Sequence, residues 1–229
     1  MASKYTKKNI NTYNWLRAIP HYLTIYFILY PFYKLWFRIK VYGRENIPKG
    51  ETLLIASNHL SYFDPTIISL SMRKPVAYMS KVELFEVPVL KQFILMYGAF
   101  AVNRDKLDKS TIKTAREILQ KGWYVGMFPE GTRSKDGILR NIHKGMPYLS
   151  RSTKTRVLPL AIIGSDKKRG PITVKIGKPI DINRDPDVIG EAWLKAMVEL
   201  TGFKSLDLEE KQNNQQETEQ NQDLTLQEA

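Results

Sequence analysis

The feature that most constrains the fold is the run WYVGMF at residues 123–128, an uncharged apolar stretch that stops at Pro129-Glu130-Gly131. Six residues closed by a proline–glycine turn make a buried strand. Immediately before it, residues 108–121 place Ile112, Ala115, Ile118 and Leu119 on one helical stripe, with Gly122 as the stop. The same alternation recurs along the chain. Residues 52–56 (TLLIA), 76–79, 157–163 and 173–176 read as strands. Residues 84–97 (LFEVPVLKQFILMY, with Pro88 near the start) and 191–200 (with Gly202 just beyond) read as helices. Strands alternating with helices predict an α/β fold: a mixed, largely parallel sheet covered by helices. No internal repeat competes with that pattern.

A chain of 229 residues holds one such domain plus short appendages. The expected division is an N-terminal membrane-associating helical segment over 1–40, an α/β domain over 41–204 and a disordered acidic, glutamine-rich tail over 205–229. Residues 205–229 carry seven acidic residues and one basic, a net of −6. The whole chain is at +12, so the rest stands at +18. A body that basic calls for an anionic partner, whether phospholipid headgroup, phosphorylated substrate or nucleic acid, although a merely solvated basic surface explains the charge equally well. No nucleic-acid-binding module is recognisable, so basicity is the only support for a nucleic-acid partner. The absence of cysteine excludes disulfides, a thiolate nucleophile and cysteine-built metal sites, and it fits a reducing compartment.

The opening decapeptide MASKYTKKNI is polar and shows no secretory-leader pattern. Residues 22–37, YLTIYFILYPFYKLWF, are apolar and dense in aromatic residues. At 16 residues, interrupted by Pro31 and Lys34, they fall short of the ~20 apolar residues that a spanning helix needs. Pro20 and Pro31 each remove a backbone donor and predict kinked helices. Aromatic density flanked by Lys4, Lys7, Lys8, Arg17, Arg38 and Lys40 predicts a segment lying in the membrane interface rather than one simply packed on the domain.

Chemistry-bearing residues gather where two strands end. After the first strand comes Asn58-His59-Leu60-Ser61-Tyr62-Phe63-Asp64-Pro65. Asp64 before Pro65 reads as a helix N-cap with proline at the first helical position. His59 and Asp64 are five apart, a spacing that separates them on one helix but lets them meet across a turn. The carboxylate then fixes the imidazole tautomer and leaves the other ring nitrogen as a general base. This is the base-and-orienter half of a catalytic triad. With no G-x-S-x-G elbow and no cysteine, no enzyme nucleophile is evident, and a substrate hydroxyl could fill the third place. A His-x4-Asp pair alone is weak, since Asp64 could merely cap a helix. The second constellation is Phe128-Pro129-Glu130-Gly131-Thr132-Arg133-Ser134. Its glycine permits close backbone approach, and Arg133 offers a planar fork suited to phosphate.

Together these blocks resemble the glycerolipid acyltransferases of the 1-acyl-glycerol-3-phosphate O-acyltransferase family. The first block is matched by Asn58, His59, Ser61 and Asp64, and the second by Gly98-Ala99-Phe100-Ala101-Val102-Asn103-Arg104. The third is residues 128–134, and the fourth Val157-Leu158-Pro159-Leu160. All four fall in the family's order, across roughly residues 40–180. Asn103 stands where many members have aspartate.

The resemblance implies a role for each matching residue. His59 is the general base and Asp64 its orienter. Arg104 and Arg133 grip the acceptor phosphate. Glu130 helps hold the acceptor or the local loop, Thr132 joins the substrate-binding set, Gly131 shapes the turn, and Lys81 adds positive potential. The implied reaction passes a fatty acyl group from acyl carrier protein or coenzyme A to the sn-2 hydroxyl of lysophosphatidic acid. It needs no cofactor and no metal, and it works at the cytoplasmic face of a membrane. The developing oxyanion needs donors; the Gly131 N–H and a nearby basic side chain are both candidates, and neither is singled out by the sequence. Two rivals stay open: an acyltransferase for glycerol 3-phosphate or another lysolipid, and a non-catalytic basic module that only binds anionic membranes.

Overall fold

The computed structural model describes residue 11 and residues 13–72, 74–102, 109–134, 137–139 and 142–209. Its centre is a seven-stranded sheet in the order β1-β8-β7-β2-β5-β3-β4. The strands are β1 (Lys40–Tyr42), β2 (Leu54–Ser57), β3 (Val76–Lys81), β4 (Phe100–Val102), β5 (Tyr124–Met127), β7 (Val157–Ile163) and β8 (Thr173–Ile176), while β6 (Ile138–Leu139) and β9 (Lys204–Ser205) pair separately. Every neighbouring pair in the large sheet is parallel except β7 with β8, which is antiparallel. This is the mixed, largely parallel sheet expected from the sequence.

Parallel strands need crossovers that cover the faces. The helices are α1 (Trp15–Leu23), α2 (Tyr30–Trp36), α3 (Asp64–Ser71), α4 (Pro88–Met96), α5 (Lys109–Gln120), α6 (Gly145–Thr153) and α7 (Pro186–Thr201). Period-two alternation splits the strand side chains between two cores. Leu54 and Ala56 of β2 join Val125 and Met127 of β5 with Ile118, Leu149, Trp193 and Met197, so α5, α6 and α7 cover that face. Ile55 joins Leu158, Leu160, Ile67, Ile68 and Phe85 on the other. Trp193 fastens α7 to the central strand by donating its indole N–H to Ala56 O at 3.1 Å.

The strands expected at 157–163 and 173–176 are found at those residues, and the helix of 108–121 appears as α5 with Ala115, Ile118 and Leu119 buried. Other elements differ from expectation. The closing helix starts five residues early, at Pro186, because Asp185 caps it by accepting from Asp187 N at 2.9 Å. Residues 84–97 divide into a 3₁₀ turn (Val82–Phe85) and α4, with Pro88 as the first residue of the helix. Pro159 lies inside a central strand, where its missing N–H would matter. It falls between Gly177, whose N–H bonds Pro159 O, and the isolated Val157–Ile180 bridge, in a break of the neighbouring strand.

The N-terminal helices are not a detached appendage. A π-helical stretch, Thr24–Leu29, joins α1 to α2 and places Pro31 in the first turn of α2. Tyr13, Ala18, His21, Ile25 and Tyr33 are buried against the body. The opposite side of the same helices exposes Trp15, Leu16, Phe27, Ile28, Leu35 and Trp36. The segment is thus both packed on the domain and apolar outward. Among the described residues no helix is long and apolar enough to cross a membrane. Residues 1–10, most of the acidic tail expected to be disordered, and Asn103 and Arg104 lie outside the described residues.

Candidate active site

Strand order alone brings the two motifs together. β2 and β5 are adjacent and parallel, with Leu54 opposite Val125, so the segments leaving their carboxyl ends share one edge of the sheet. His59 follows β2 and Glu130–Arg133 follows β5. On the far side of β5, β3 ends in Lys81, and on the far side of β2, β7 leads into Ser165. The two motif loops are also tied directly, Ser134 N–H donating to His59 O at 2.8 Å.

His59 Nδ1 lies 2.8 Å from Asp64 Oδ2. A carboxylate oxygen can only accept, so the proton sits on Nδ1 and the lone pair on Nε2. The same Oδ2 accepts from the N–H groups of Leu60 at 2.6 Å and Ser61 at 2.7 Å, while Oδ1 accepts from Ser165 Oγ at 2.6 Å. Asp64 is fully buried and His59 is about one-sixth exposed. Phe128 stacks on the imidazole, with centroids 4.0 Å apart and planes 18° apart, and fixes the ring plane. The expected N-cap role of Asp64 is not what forms. Phe63 occupies the cap position and Asp64 is the first residue of α3. Its carboxylate folds back onto the turn to serve the imidazole rather than the helix end.

The β5 loop depends on its glycine. Gly131 has φ +69°, and a Cβ there would stand 2.6 Å from His143 Nε2. Its N–H donates to Phe128 O at 3.0 Å, closing the turn. Arg133 packs its guanidinium 3.7 Å over the Tyr62 ring centroid and donates from Nη2 to the Tyr62 hydroxyl at 2.9 Å. Glu130 is buried beneath the loop.

His59, Lys81, Gly131, Thr132 and Arg133 line one cavity of about 640 Å³. Its remaining wall is largely apolar, with Phe63, Met79, Leu84, Ile94, Tyr97 and Phe128. Tyr78 forms part of that wall. Its hydroxyl reaches Pro65 O at 2.6 Å and Ser69 Oγ at 2.7 Å, and burial pushes its pKa far up. Glu130 is not among the lining residues, and Arg104, expected beside Arg133, lies outside the described ones. Among the described residues no three His, Asp or Glu side chains gather to hold a metal.

Three contributors were not legible as such. Asn58 belongs to the first motif, but its work is to clamp β7. Its Nδ2 donates to Ile162 O and its Oδ1 accepts from Ile162 N, both at 2.8 Å. Tyr62 supports Arg133. Ser165, 101 residues after Asp64, carried no signal at all.

The chain belongs to the acyltransferase family, whose profile matches residues 38–163. Among curated relatives it is 33% identical over 180 residues to the 1-acyl-sn-glycerol-3-phosphate acyltransferase LPAT1, chloroplastic, of Arabidopsis thaliana, covering 73% of this chain and 49% of that protein. It is 28% identical over 179 residues to a 1-acyl-sn-glycerol-3-phosphate acyltransferase of Bacillus subtilis, covering 76% and 89%. The chain thus spans about half the length of the chloroplast relative and most of the bacterial one. Among solved structures, the 1-acyl-sn-glycerophosphate acyltransferase PlsC of Thermotoga maritima superposes with a TM-score of 0.56 at 26% identity, over 71% of this chain and 72% of that one. The family assignment and this likeness agree with the family and fold expected from the four motifs.

Proposed function

We propose that the chain transfers a fatty acyl group from an acyl thioester to the sn-2 hydroxyl of 1-acyl-sn-glycerol 3-phosphate, giving phosphatidic acid at a membrane surface. The observation that carries the proposal is the His59–Asp64 pair, whose imidazole lines a largely apolar cavity together with Arg133 and Lys81. The names of the relatives support lysophosphatidic acid as the acceptor.

In this mechanism Nε2 of His59 accepts the proton of the sn-2 hydroxyl as that oxygen attacks the thioester carbonyl. The imidazolium formed is stabilised by the Asp64 carboxylate. When the tetrahedral intermediate collapses, the carbon–sulfur bond breaks. Nε2 returns the proton to the departing thiolate, so one ester and one free thiol leave a regenerated histidine. No enzyme nucleophile takes part. Arg133, Arg104 and Thr132 hold the phosphate, Glu130 and Gly131 hold the loop, and Lys81 adds positive potential. The apolar wall takes up an acyl chain.

Lipid acceptor and lipid product require access to a leaflet, and α1–α2 support it. Tyr33, buried on α2, shares a 2.6 Å hydrogen bond with Thr66 in the first turn of α3, so the helices stand beside the dyad. Their outward face exposes Phe27 at 77% and Leu35 at 84%. Arg169, from the exposed Lys167-Lys168-Arg169 run, places its guanidinium 5.2 Å from the Trp36 ring centroid. Apolar helices rimmed by cations suit attachment to one anionic leaflet. In functional terms, residues 1–40 then form the membrane-associating segment, 41–204 the acyltransferase domain and 205–229 an appended tail.

The test is an assay of purified protein with lysophosphatidic acid or glycerol 3-phosphate as acceptor, and acyl carrier protein or coenzyme A thioester as donor. Lysophosphatidic acid should be the better acceptor with at least one donor. His59→Ala should lower turnover by ~10²–10⁴-fold while leaving vesicle binding intact. Faster acylation of glycerol 3-phosphate would overturn the acceptor assignment. Near-normal turnover of His59→Ala would overturn the mechanism and favour a membrane-binding module.

A further inference from the structure

The geometry points to Ser165 as a positioning residue of the dyad: its hydroxyl locks the Asp64 carboxylate in the one orientation that serves His59. This rests on the general-base mechanism proposed above and adds a residue to it.

Among the described residues the three other donors to Asp64, the N–H groups of Leu60 and Ser61 and Nδ1 of His59, converge on Oδ2. None of them holds Oδ1. A carboxylate turns about its terminal bond as a broad, two-fold rotor, so contacts on a single oxygen constrain its plane poorly. Ser165 Oγ, donating to Oδ1 at 2.6 Å, supplies the missing constraint. Asp64 is fully buried and Ser165 only 7% exposed. Without that hydroxyl Oδ1 would lose a charge-assisted bond in a buried setting. The carboxylate would then tilt toward other donors and draw Oδ2 out of line with Nδ1.

The fold builds this contact deliberately. Asn58, next to His59 in sequence, grips both backbone groups of Ile162. That fixes the end of β7 against the end of β2 three residues before Ser165. Gly164 then turns the chain at φ +85°, with no room for a side chain because a Cβ would meet Pro171 O at 2.6 Å. The turn carries the Ser165 hydroxyl back over the sheet edge to Asp64. Ser165 does not line the substrate cavity, so it acts through Asp64 and not on substrate.

Four proteins test this: wild type, Ser165→Ala, Ser165→Thr and the double variant Asp64→Ala/Ser165→Ala, with Asp64→Ala and His59→Ala as references. Ser165→Ala should lower kcat by about 10–100-fold, as expected for loss of one hydrogen bond to a charged group. KM for lysophosphatidic acid should stay within about threefold, because no substrate contact is removed. Ser165→Thr, which keeps the hydroxyl, should recover most of the rate. In the Asp64→Ala background the serine substitution should have almost no further effect, because there is no carboxylate left to orient.

Full kcat in Ser165→Ala overturns the proposal, as do multiplicative losses in the double variant. A loss tracking a fall in melting temperature, or a change confined to KM, assigns Ser165 a structural or substrate-binding role and also overturns it. If Thr fails to recover the rate while melting as wild type, the hydroxyl is not the active group. Retained turnover in His59→Ala, by contrast, would sink the underlying mechanism whatever Ser165 does, so the two failures are told apart.

Discussion

His21 provides a test of how tightly α1 is held to the body. It is 1% exposed, its ring packs against Tyr22, Tyr97 and Trp123, and its Nδ1 meets no hydrogen-bond partner among the described residues. Burial lowers its pKa from 6.5 to about 4. The folded protein therefore holds this imidazole neutral while the unfolded chain protonates near pH 6.5. A depressed folded-state pKa means that stability is full above pH 6.5 and falls as the pH drops, flattening below about 4. The slope between those limits is about 1.4 kcal/mol per pH unit, for a total near 3 kcal/mol and a loss of about 2 kcal/mol between pH 7 and pH 5. His21→Phe keeps the ring packing and removes the titration. Urea unfolding of both proteins at pH 7, 6 and 5 isolates the effect, because every other group titrates alike in the pair. The variant should match or exceed wild type at pH 7, and its advantage should grow by about 2 kcal/mol at pH 5. A difference that stays flat across that range would show that His21 is solvated or partnered in solution, and that α1 is not seated as described.

Four other outcomes follow from the site and the surface. Gly131→Ala meets both a left-handed φ and the His143 ring, so it should lower activity more than tenfold and reduce stability by about 1–3 kcal/mol, read by kinetics and thermal melting. Relief of the clash by His143→Ala should restore only part. Arg133→Ala should raise KM for lysophosphatidic acid far more than KM for the thioester, with Arg133→Lys an incomplete substitute because it cannot both stack on Tyr62 and present a fork. Replacing Lys167, Lys168 and Arg169 together by Gln should weaken binding to anionic vesicles by about 1 kcal/mol per charge and leave binding to neutral vesicles unchanged, measured by sedimentation. Phe27→Asp with Leu35→Asp should weaken both.

What the sequence made legible, and what it hid, divides by the range of the interaction responsible. β7 is legible to the residue because a continuous apolar run reports burial directly, and β8 because Val174 and Ile176 alternate with the less buried Thr173 and Lys175. α5 was readable because its stripe has helical period and Gly122 ends it. β1, β4 and α6 were not singled out. β1 and β4 are three residues each and owe their existence to a neighbour, β8 and β3 respectively. α6 opens with Gly145, a poor helix former, and packing of Met146 and Leu149 into the core overrides that preference.

The site shows the same divide at finer grain. His59 and Asp64 lie five residues apart, so one turn brings them together and the spacing itself carried the information. Asp64 also shows how a local rule misleads. Aspartate before proline ordinarily marks a helix cap, yet here three donors and the imidazole draw the carboxylate away from the helix end. Its remaining oxygen is satisfied from 101 residues away, and that contact depends on strand order, since β7 must lie beside β2 and Asn58 must hold the register. Pairwise spacing reveals the half of the constellation that a single turn can assemble. The half that keeps a buried carboxylate in one orientation is assembled by the sheet, and it became visible only once the order of its strands was known.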